Sequence, residues 1–440
     1  MDSFSNPEVQ QCPFPLIKKL HESHPIYLDP GTGFYVVSRY DDIVYISAHP
    51  ELFSNKTSII IGGDDVPGAD QVRALYEKEG GFQRFHTLVT NDPPGHTQYR
   101  KVVDKVFAPS FVKSLEPYIT SMADKLIDDF IENGETNLLD AFCIRLPIYI
   151  IADQLGFPRS DWQRIKKWSD NNVALINPGL RVDERLALCK VSIELQKYLA
   201  AVRERYLKHE EQSFYSRLAV AEVDGRRLDA AQFVNVAEQL LVAGNETTTN
   251  GIAHAVVMAI QQPALLARLV ADPSLIGNYT EEVLRVHAPS PHLYRQVLQN
   301  VEMGPVRITK GSILMISYLE GNHDPTHYHD PARIDLDRAG IRNHLSFGRG
   351  IHYCVGNQLA RAEMRIGATR LFQRLKNLRF TPRSSASVDC AALSCPCSQE
   401  SRCKFRCSRL AELKVWTLST LSDGIYSRAV PRLWSDGSPR

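Results

Sequence analysis

In the stretch LSFGRGIHYCVGNQLARAEM, which begins at Leu345, Gly348, Gly350, Gly356 and His352 crowd around an isolated cysteine, Cys354. The three glycines let the backbone bend sharply, with positive φ, and turn its N–H groups toward the sulfur. Beyond Cys354 the pattern is helical, so the positive end of a helix dipole lies beside the sulfur and favours a thiolate. A single cysteine is by default a small buried hydrophobe. A thiol nucleophile would need a partner base that the glycines do not supply. Tetrahedral zinc would need further ligands at short spacing, and no C-x-x-C surrounds Cys354. Haem iron, which takes one protein ligand on this side, best accounts for a sulfur set apart in this way.

A second chemical signal lies in LLVAGNETTTN, residues 240–250. Glycine inside a helix costs about 1 kcal/mol against alanine, so Ala243-Gly244 marks a place where something approaches the backbone closely. The Thr247 hydroxyl can bond back to the Ala243 carbonyl, four residues earlier, which bends or widens a helix and opens a groove that oxygen could occupy. The plain alternative is a polar helix face against polar neighbours. Elsewhere, Glu282 and Arg285 in TEEVLRVH lie three apart, where an ion pair is natural. His96 and Arg100 in DPPGHTQYRKVV are four apart on one face, and Arg295 stands in SPHLYRQVL. Cations of this kind suit carboxylates, arginine binding both oxygens.

These residues need elements to hold them. An apolar period with Asp229 as N-cap runs to about Ile260 before Pro263, predicting a helix of roughly 45–50 Å that crosses a whole domain. From Pro109, Phe111, Leu115, Ile119, Met122, Leu126 and Phe130 recur at three- and four-residue steps up to Gly134, the pattern of one amphipathic helix. Similar patterns span 145–156, 161–175 and 184–207, and a last helix runs from Cys354 to about Leu378. Residues 25–48 carry β-branched and aromatic runs around a Pro-Gly turn and predict a small antiparallel sheet, and 300–320 reads as short strands. The expected fold class is mainly α with small β-sheets.

A chain of 440 residues, 43% hydrophobic and 23% charged, has material for a large core. The formal charge of +1, with no basic block interleaved with aromatics, excludes nucleic acid as an expected partner. The N-terminus lacks the apolar run of a signal peptide or membrane anchor, which predicts a cytoplasmic protein with reduced thiols. No linker divides residues 1–380, so they are expected to form one domain. From Thr381 the composition turns to serine, cysteine and arginine without apolar period, and 381–440 reads as a disordered tail or the product of a reading-frame shift. A metal site through Cys395, Cys397, Cys403 and Cys407 is the weaker alternative, because their spacing is irregular.

The run Phe347, Gly348, Gly350, His352, Cys354, Gly356, Leu359, Ala360, Arg361 resembles the haem-binding loop of the cytochrome P-450 superfamily, in its soluble bacterial form. The resemblance extends with interruptions from about Pro25 to Phe380. It implies a single haem-enclosing domain, haem b as cofactor, and Cys354 as the axial iron ligand. By the same match, Phe347, Gly348 and Gly356 belong to the haem cradle, and His96, Arg100, Arg295 and His352 contact the propionates. Ala243, Gly244, Glu246 and Thr247 match the oxygen-activation motif, in which Thr247 orients water or oxygen and Glu246 relays protons. Glu282, Arg285 and, from DPARIDLDR, Arg333 would form a structural set behind the haem. The implied function is a monooxygenase that hydroxylates a small apolar substrate with O2. A haem-thiolate isomerase or dehydratase, or a haem sensor, is the alternative. No flavin or nicotinamide module is visible, so a ferredoxin and its reductase are the implied electron donors to a monomer, docking on Arg349, Arg361 and Arg365. The pocket loop from Ser54 to Leu88 selects no ligand by its composition.

Overall fold

The computed structural model describes residues 3–380 apart from 7, 10–12, 58–66, 134, 177–179, 210, 212 and 224. The tail from Thr381 with its five cysteines, four of them the weaker metal-site candidates, and part of the pocket loop therefore lie outside the described residues. Helices dominate: α1 (Phe14–Ser23), α2 (Tyr40–Ala48), α3 (Ala69–Glu79), α4 (Gly95–Val106), α5 (Pro109–Ser114), α6 (Glu116–Asp128), α7 (Arg145–Leu155), α8 (Trp162–Ala174), α9 (Val182–Lys208) and α10 (Phe214–Val220). After them come α11 (Ala230–Gln261), α12 (Pro263–Ala271), α13 (Ile276–Val286), α14 (Tyr318–Gly321) and α15 (Asn357–Arg374). The strands are β1 (Ile26–Leu28), β2 (Tyr35–Val37), β3 (Phe53–Ser54), β4 (Glu222–Val223), β5 (Arg226–Arg227), β6 (His292–Val297), β7 (Val301–Met303), β8 (Val306–Ile308) and β9 (Ile313–Ser317).

The long helix starts where its N-cap predicts. The Asp229 carboxylate accepts from Gln232 N at 2.8 Å, and the Gln232 side-chain oxygen accepts from Asp229 N at 3.0 Å, a reciprocal capping box. Pro263 closes the far end by starting α12. At 1.5 Å per residue, α11 is roughly 48 Å long. From Thr248 to Ala259 every residue is buried, so this half is a core helix on all its faces. Gly251 is the point of closest approach to α15, since a Cβ there would meet the Met364 sulfur at 2.7 Å. Among the described residues no single helix is long and apolar enough to cross a membrane.

Two expectations fail for identifiable reasons. Residues 40–48 form α2 and not a strand, because Tyr40, Ile43, Ile46 and Ser47 bury one face at helical spacing and Asp41 and Asp42 occupy the favourable first turn. The helix expected from Pro109 to Gly134 is two helices. Pro117 has no N–H for an interior bond and sits in the first turn of α6, where none is needed.

The predicted N-terminal hairpin exists but is part of a larger mixed sheet in the order β1-β2-β9-β6-β3. β1 and β2 pair antiparallel, and β2 then pairs parallel with β9, Tyr35 opposite Leu314. One large apolar cluster joins α6, α7, α9, α11 and α15, and a second lies beneath the sheet against α2.

Where α1 meets α13 the core contains imidazoles. His254 of α11 stacks on His287 at 4.6 Å, and the Phe14 ring packs edgewise on His287 at 6.4 Å and on His323 at 5.3 Å. Burial pushes His287 down to about 4 and His323 to about 3, with Arg285 and His21 adding to the shift at His323. These rings are neutral in the fold, whereas unfolded histidine titrates at about 6.5. The unfolded chain therefore binds more protons once pH falls below about 6.5, and stability present above that value is lost progressively toward pH 4. Denaturant titrations should show this loss, on the order of a few kcal/mol, and His287→Gln should make the slope shallower.

Candidate functional site

The loop around Cys354 is built from two short 3-10 turns, Leu345–Phe347 and Gly350–His352. Gly348 at φ +68° and Gly350 at φ +66° supply the left-handed conformations that separate them. Gly350 also lies so close to α2 that a Cβ would fall 2.1 Å from the Ser47 carbonyl oxygen. Gly356 differs from the expectation: its φ of −80° is ordinary, and it serves as the N-cap of α15. Cys354 N donates to Phe347 O at 2.8 Å and closes the loop. The Cys354 side chain is half-buried.

The loop is fastened to α13. Arg361 donates to Glu281 Oε1 at 2.6 Å and lies 4.4 Å over the Phe347 ring, while His344 bonds the second Glu281 oxygen at 3.0 Å. Burial would raise the Glu281 carboxyl, but hydrogen bonds from His344 and Arg361 outweigh it and hold it below its ordinary value. Ser346 donates to Leu284 O at 2.6 Å, and Leu345 N to Asn322 Oδ1 at 2.6 Å. Of the cations expected to form a docking patch, Arg361 is thus spent on Glu281, Arg365 donates to Glu116 at 2.7 Å, and Arg349 is bonded to Asn343 O and the Tyr40 hydroxyl. Arg361 and Arg349 thus also hold the loop, while Arg365 ties α15 to α6 with 42% of its side chain exposed.

Burial pushes the Cys354 thiol above its ordinary value, against the Gly356 N–H and the charges of Arg100 and Arg361. The helix end alone does not make the free thiolate expected from sequence. A sulfur in this position is deprotonated by coordinating a cation. Among the described residues no three His, Cys, Asp or Glu side chains come together as a metal site.

Beside the loop, α4, β6 and the second 3-10 turn bring four basic side chains together. His96 and His352 have ring centroids 4.2 Å apart, and His96 and Arg295 are almost fully buried. Arg100 donates to Tyr353 O at 2.5 Å and to Asp104 at 2.7 Å. Among the described residues, Asp104 is the only carboxylate bonded to any of the four. His352 Nε2 is buried without a hydrogen-bond partner, and burial followed by Arg295, His96 and Arg100 pushes this ring down to about 2. Such crowding of positive charge is unfavourable unless anions enter it. Two propionates, adjacent to a sulfur ligand for iron, satisfy that requirement, so the residues present fit a haem.

The helix above offers open space. In α11 the turn at Ala243 and Gly244 is exposed although the helix on either side is buried, and a Cβ at Gly244 would meet nothing within 4 Å. Thr247 Oγ1 donates to Ala243 O at 2.7 Å, the back-bond its position predicts. Glu246 is bound by Lys166 of α8 at 2.9 Å, and Lys166 is also paired with the half-exposed Asp170. Burial raises the Glu246 carboxyl above its ordinary value, against the pull of Lys166 and assisted by Asp170. Sequence reasoning found Glu246 but not its partners, although Lys166 and Asp170 show the i, i+4 spacing of a helix pair.

The set behind the loop is corrected at one position. Glu282 and Arg285 are both fully buried and form a fork, Arg285 Nε to Oε1 at 2.7 Å and Nη2 to Oε2 at 3.0 Å. The third member is Arg338, whose Nε lies 3.1 Å from both Glu282 oxygens. Arg333 is exposed and contributes only its carbonyl, which accepts from Arg285 at 2.9 Å and from Arg338 at 3.0 Å. The two arginines lie five residues apart on the same irregular segment, and Arg338, its side chain 8% exposed, is the one turned inward.

Comparison with known proteins places this geometry. Residues 180–385 match the family model described as Cytochrome P450. Cyclomarin C epoxidase CymV of Salinispora arenicola is 32% identical over 83% of this chain and 89% of its own length. Linalool 8-monooxygenase of Pseudomonas putida is 30% identical, over 86% and 93%. The structure of cytochrome P450 CYP109Q5 from Chondromyces apiculatus superposes with a TM-score of 0.73 at 30% identity, covering 84% of this chain and 90% of that one.

Proposed function

Because the chain belongs to the cytochrome P450 superfamily, and with it to the haem-thiolate monooxygenases of the bacterial kind, we propose that it inserts one atom of O2 into a C–H bond of an apolar organic molecule. The observation that carries this reading is the open turn Ala243–Thr247, with a hydroxyl and a proton-holding carboxyl on the same helix, in a fold whose cysteine loop fits a haem. Haem b would be held by Cys354 and, at its propionates, by His96, Arg100, Arg295 and His352, and when bound it would supply oxygen binding and O–O cleavage, which thiolate ligation favours.

The chain's own residues do the rest. Ala243 and Gly244 leave room beside the helix for a diatomic molecule. The Thr247 hydroxyl, parked on Ala243 O, can turn to present its proton at that space. Glu246 holds a proton more readily than a surface carboxyl does, and its Lys166–Asp170 partners lead from the buried acid to the half-exposed edge of α8. A ferredoxin and its reductase are the proposed electron donors, on the resemblance to bacterial members of the family.

Proton delivery at a fixed atom is worth about 10²-fold or more in rate. In Thr247→Ala, oxygen and reducing equivalents should still be consumed, with hydrogen peroxide replacing organic product and product per electron falling by about 10²-fold. Thr247→Ser should retain most of the coupling. An unchanged peroxide yield in the alanine variant would refute the assignment of Thr247 and favour an isomerase or a sensor.

A further inference from the structure

Helices α6 and α7 and the 3-10 turn Arg159–Asp161 that leads into α8 enclose a cleft of about 290 Å³. It shares no residue with the cysteine loop, the propionate cations or the open turn of α11. Its volume stands at the lower end of the range for small-molecule sites, about 300–1,000 Å³. Met122 and Leu126, one turn apart on α6, give it a buried apolar lining. Two half-buried rings face it as well, Tyr149 of α7 and Trp162 at the start of α8. The Arg145 guanidinium, one turn before Tyr149 on α7, lies 5.3 Å from the centre of the Trp162 ring and braces it.

The charged groups of the cleft are unevenly used. Lys125 of α6 and Asp129 at its C-terminal cap are both exposed, and among the described residues neither side chain makes a hydrogen bond or ion pair. Their neighbours behave differently: Asp124 is bound by Arg370 at 2.7 Å and Asp128 by Arg374 at 2.5 Å. Lysine four residues before an acid is the less favourable order for a pair along a helix, which leaves both charges available. Asp129 also sits at the negative end of the α6 dipole, a place that favours an added cation. Arg159 is held rigidly by Asp153, Nη2 to Oδ2 at 2.7 Å and Nε to Oδ1 at 3.2 Å, and Asp153 accepts in turn from the Tyr118 hydroxyl. Among the described residues its Nη1 makes no hydrogen bond.

We propose that this cleft is a binding site for a small zwitterion of the aromatic α-amino acid class. Its carboxylate lies between Lys125 and Arg159, its ammonium on Asp129, and its ring against Trp162 and Tyr149. A plain carboxylate would set a second anion beside Asp129, and a plain amine a third cation beside Lys125 and Arg159, so each half-molecule is disfavoured by like charge. The inference does not depend on the oxygenase reading.

The probes are L-phenylalanine, 3-phenylpropionate and 2-phenylethylamine, titrated calorimetrically into the haem-loaded full-length protein with imidazole on the iron, so that no amine ligates it. L-phenylalanine is expected to bind with a dissociation constant of about 0.1–1 mM. It should bind about fivefold more tightly than either half-molecule, the worth of one exposed charge pair. Asp129→Asn should remove its advantage over phenylpropionate, and Lys125→Met its advantage over phenylethylamine. Both side chains are exposed, so the variants should fold and keep the parental haem spectrum. Absence of saturable heat up to about 10 mM, or an affinity unchanged in both variants, overturns the proposal.

Discussion

Cys354→Ala, expressed and loaded with haem, is expected to lose completely the red-shifted carbon-monoxide band that marks thiolate ligation of reduced iron, and oxygenase turnover with it. The four basic side chains at the propionate end are untouched by this change, so residual haem should still bind. Retention without the band separates ligation from cradle. No other described thiol is placed to substitute, because Cys143 and Cys189 are buried in separate clusters of the core. Cys354→His should restore firmer haem binding with an imidazole-type spectrum but not the oxygenase activity, since the electron-rich thiolate is what favours O–O cleavage. Survival of the shifted band in Cys354→Ala would overturn the assignment of the ligand.

Glu282→Ala should be the most destabilising single change outside the ligand loop. It leaves Arg285 at 0% side-chain exposure and Arg338 at 8% with no counter-charge, and removing one partner of a buried pair costs about 3–5 kcal/mol. Whole-domain stability is about 5–15 kcal/mol, so much of it is at stake. The damage propagates through hydrogen bonds. Arg285 Nη1 donates to Asn322 O and Pro331 O, and Asn322 in turn receives Leu345 N at the start of the cysteine loop. Denaturant midpoints and haem retention should therefore fall together, and Glu282→Gln should recover little, because an amide carries no charge. Arg333→Ala should be nearly neutral by contrast, since its carbonyl survives the substitution. A large loss at Arg333 and a small one at Glu282 would reverse the geometry described here.

What could be read from the sequence was decided by local rules. The α11 boundaries follow from Asp229 and Pro263, and the Thr247 back-bond follows from i to i+4 spacing, because both depend on residues within a turn or two of one another. The strand misreading at 40–48 has the opposite cause: Tyr, Ile and Val favour strands by propensity, while packing against β9 and the cysteine loop selects a helix. Which arginine reaches Glu282 could not be told from spacing, since Arg333 and Arg338 share the same irregular segment and only its folded turn chooses between them. Lys166 was invisible for a related reason. It meets α11 at Glu246, 80 positions away, and no short motif records such a meeting.

The parallel pairing of β2 with β9 sets a timetable for synthesis. Leu314 follows its partner Tyr35 by 279 positions (314 − 35), so the N-terminal hairpin leaves the ribosome long before the strand that covers its edge. At about 5–20 residues per second the wait is roughly 15–55 s. During it the apolar side chains of Val36 and Val37, both almost wholly buried in the finished protein, have only chaperones or one another for company. Fast expression at high temperature would lengthen the queue of half-made chains exposing that edge, whereas slowing growth by cooling would thin it. The recovery of folded protein should thus depend, at the first hairpin, on a strand made 279 positions later.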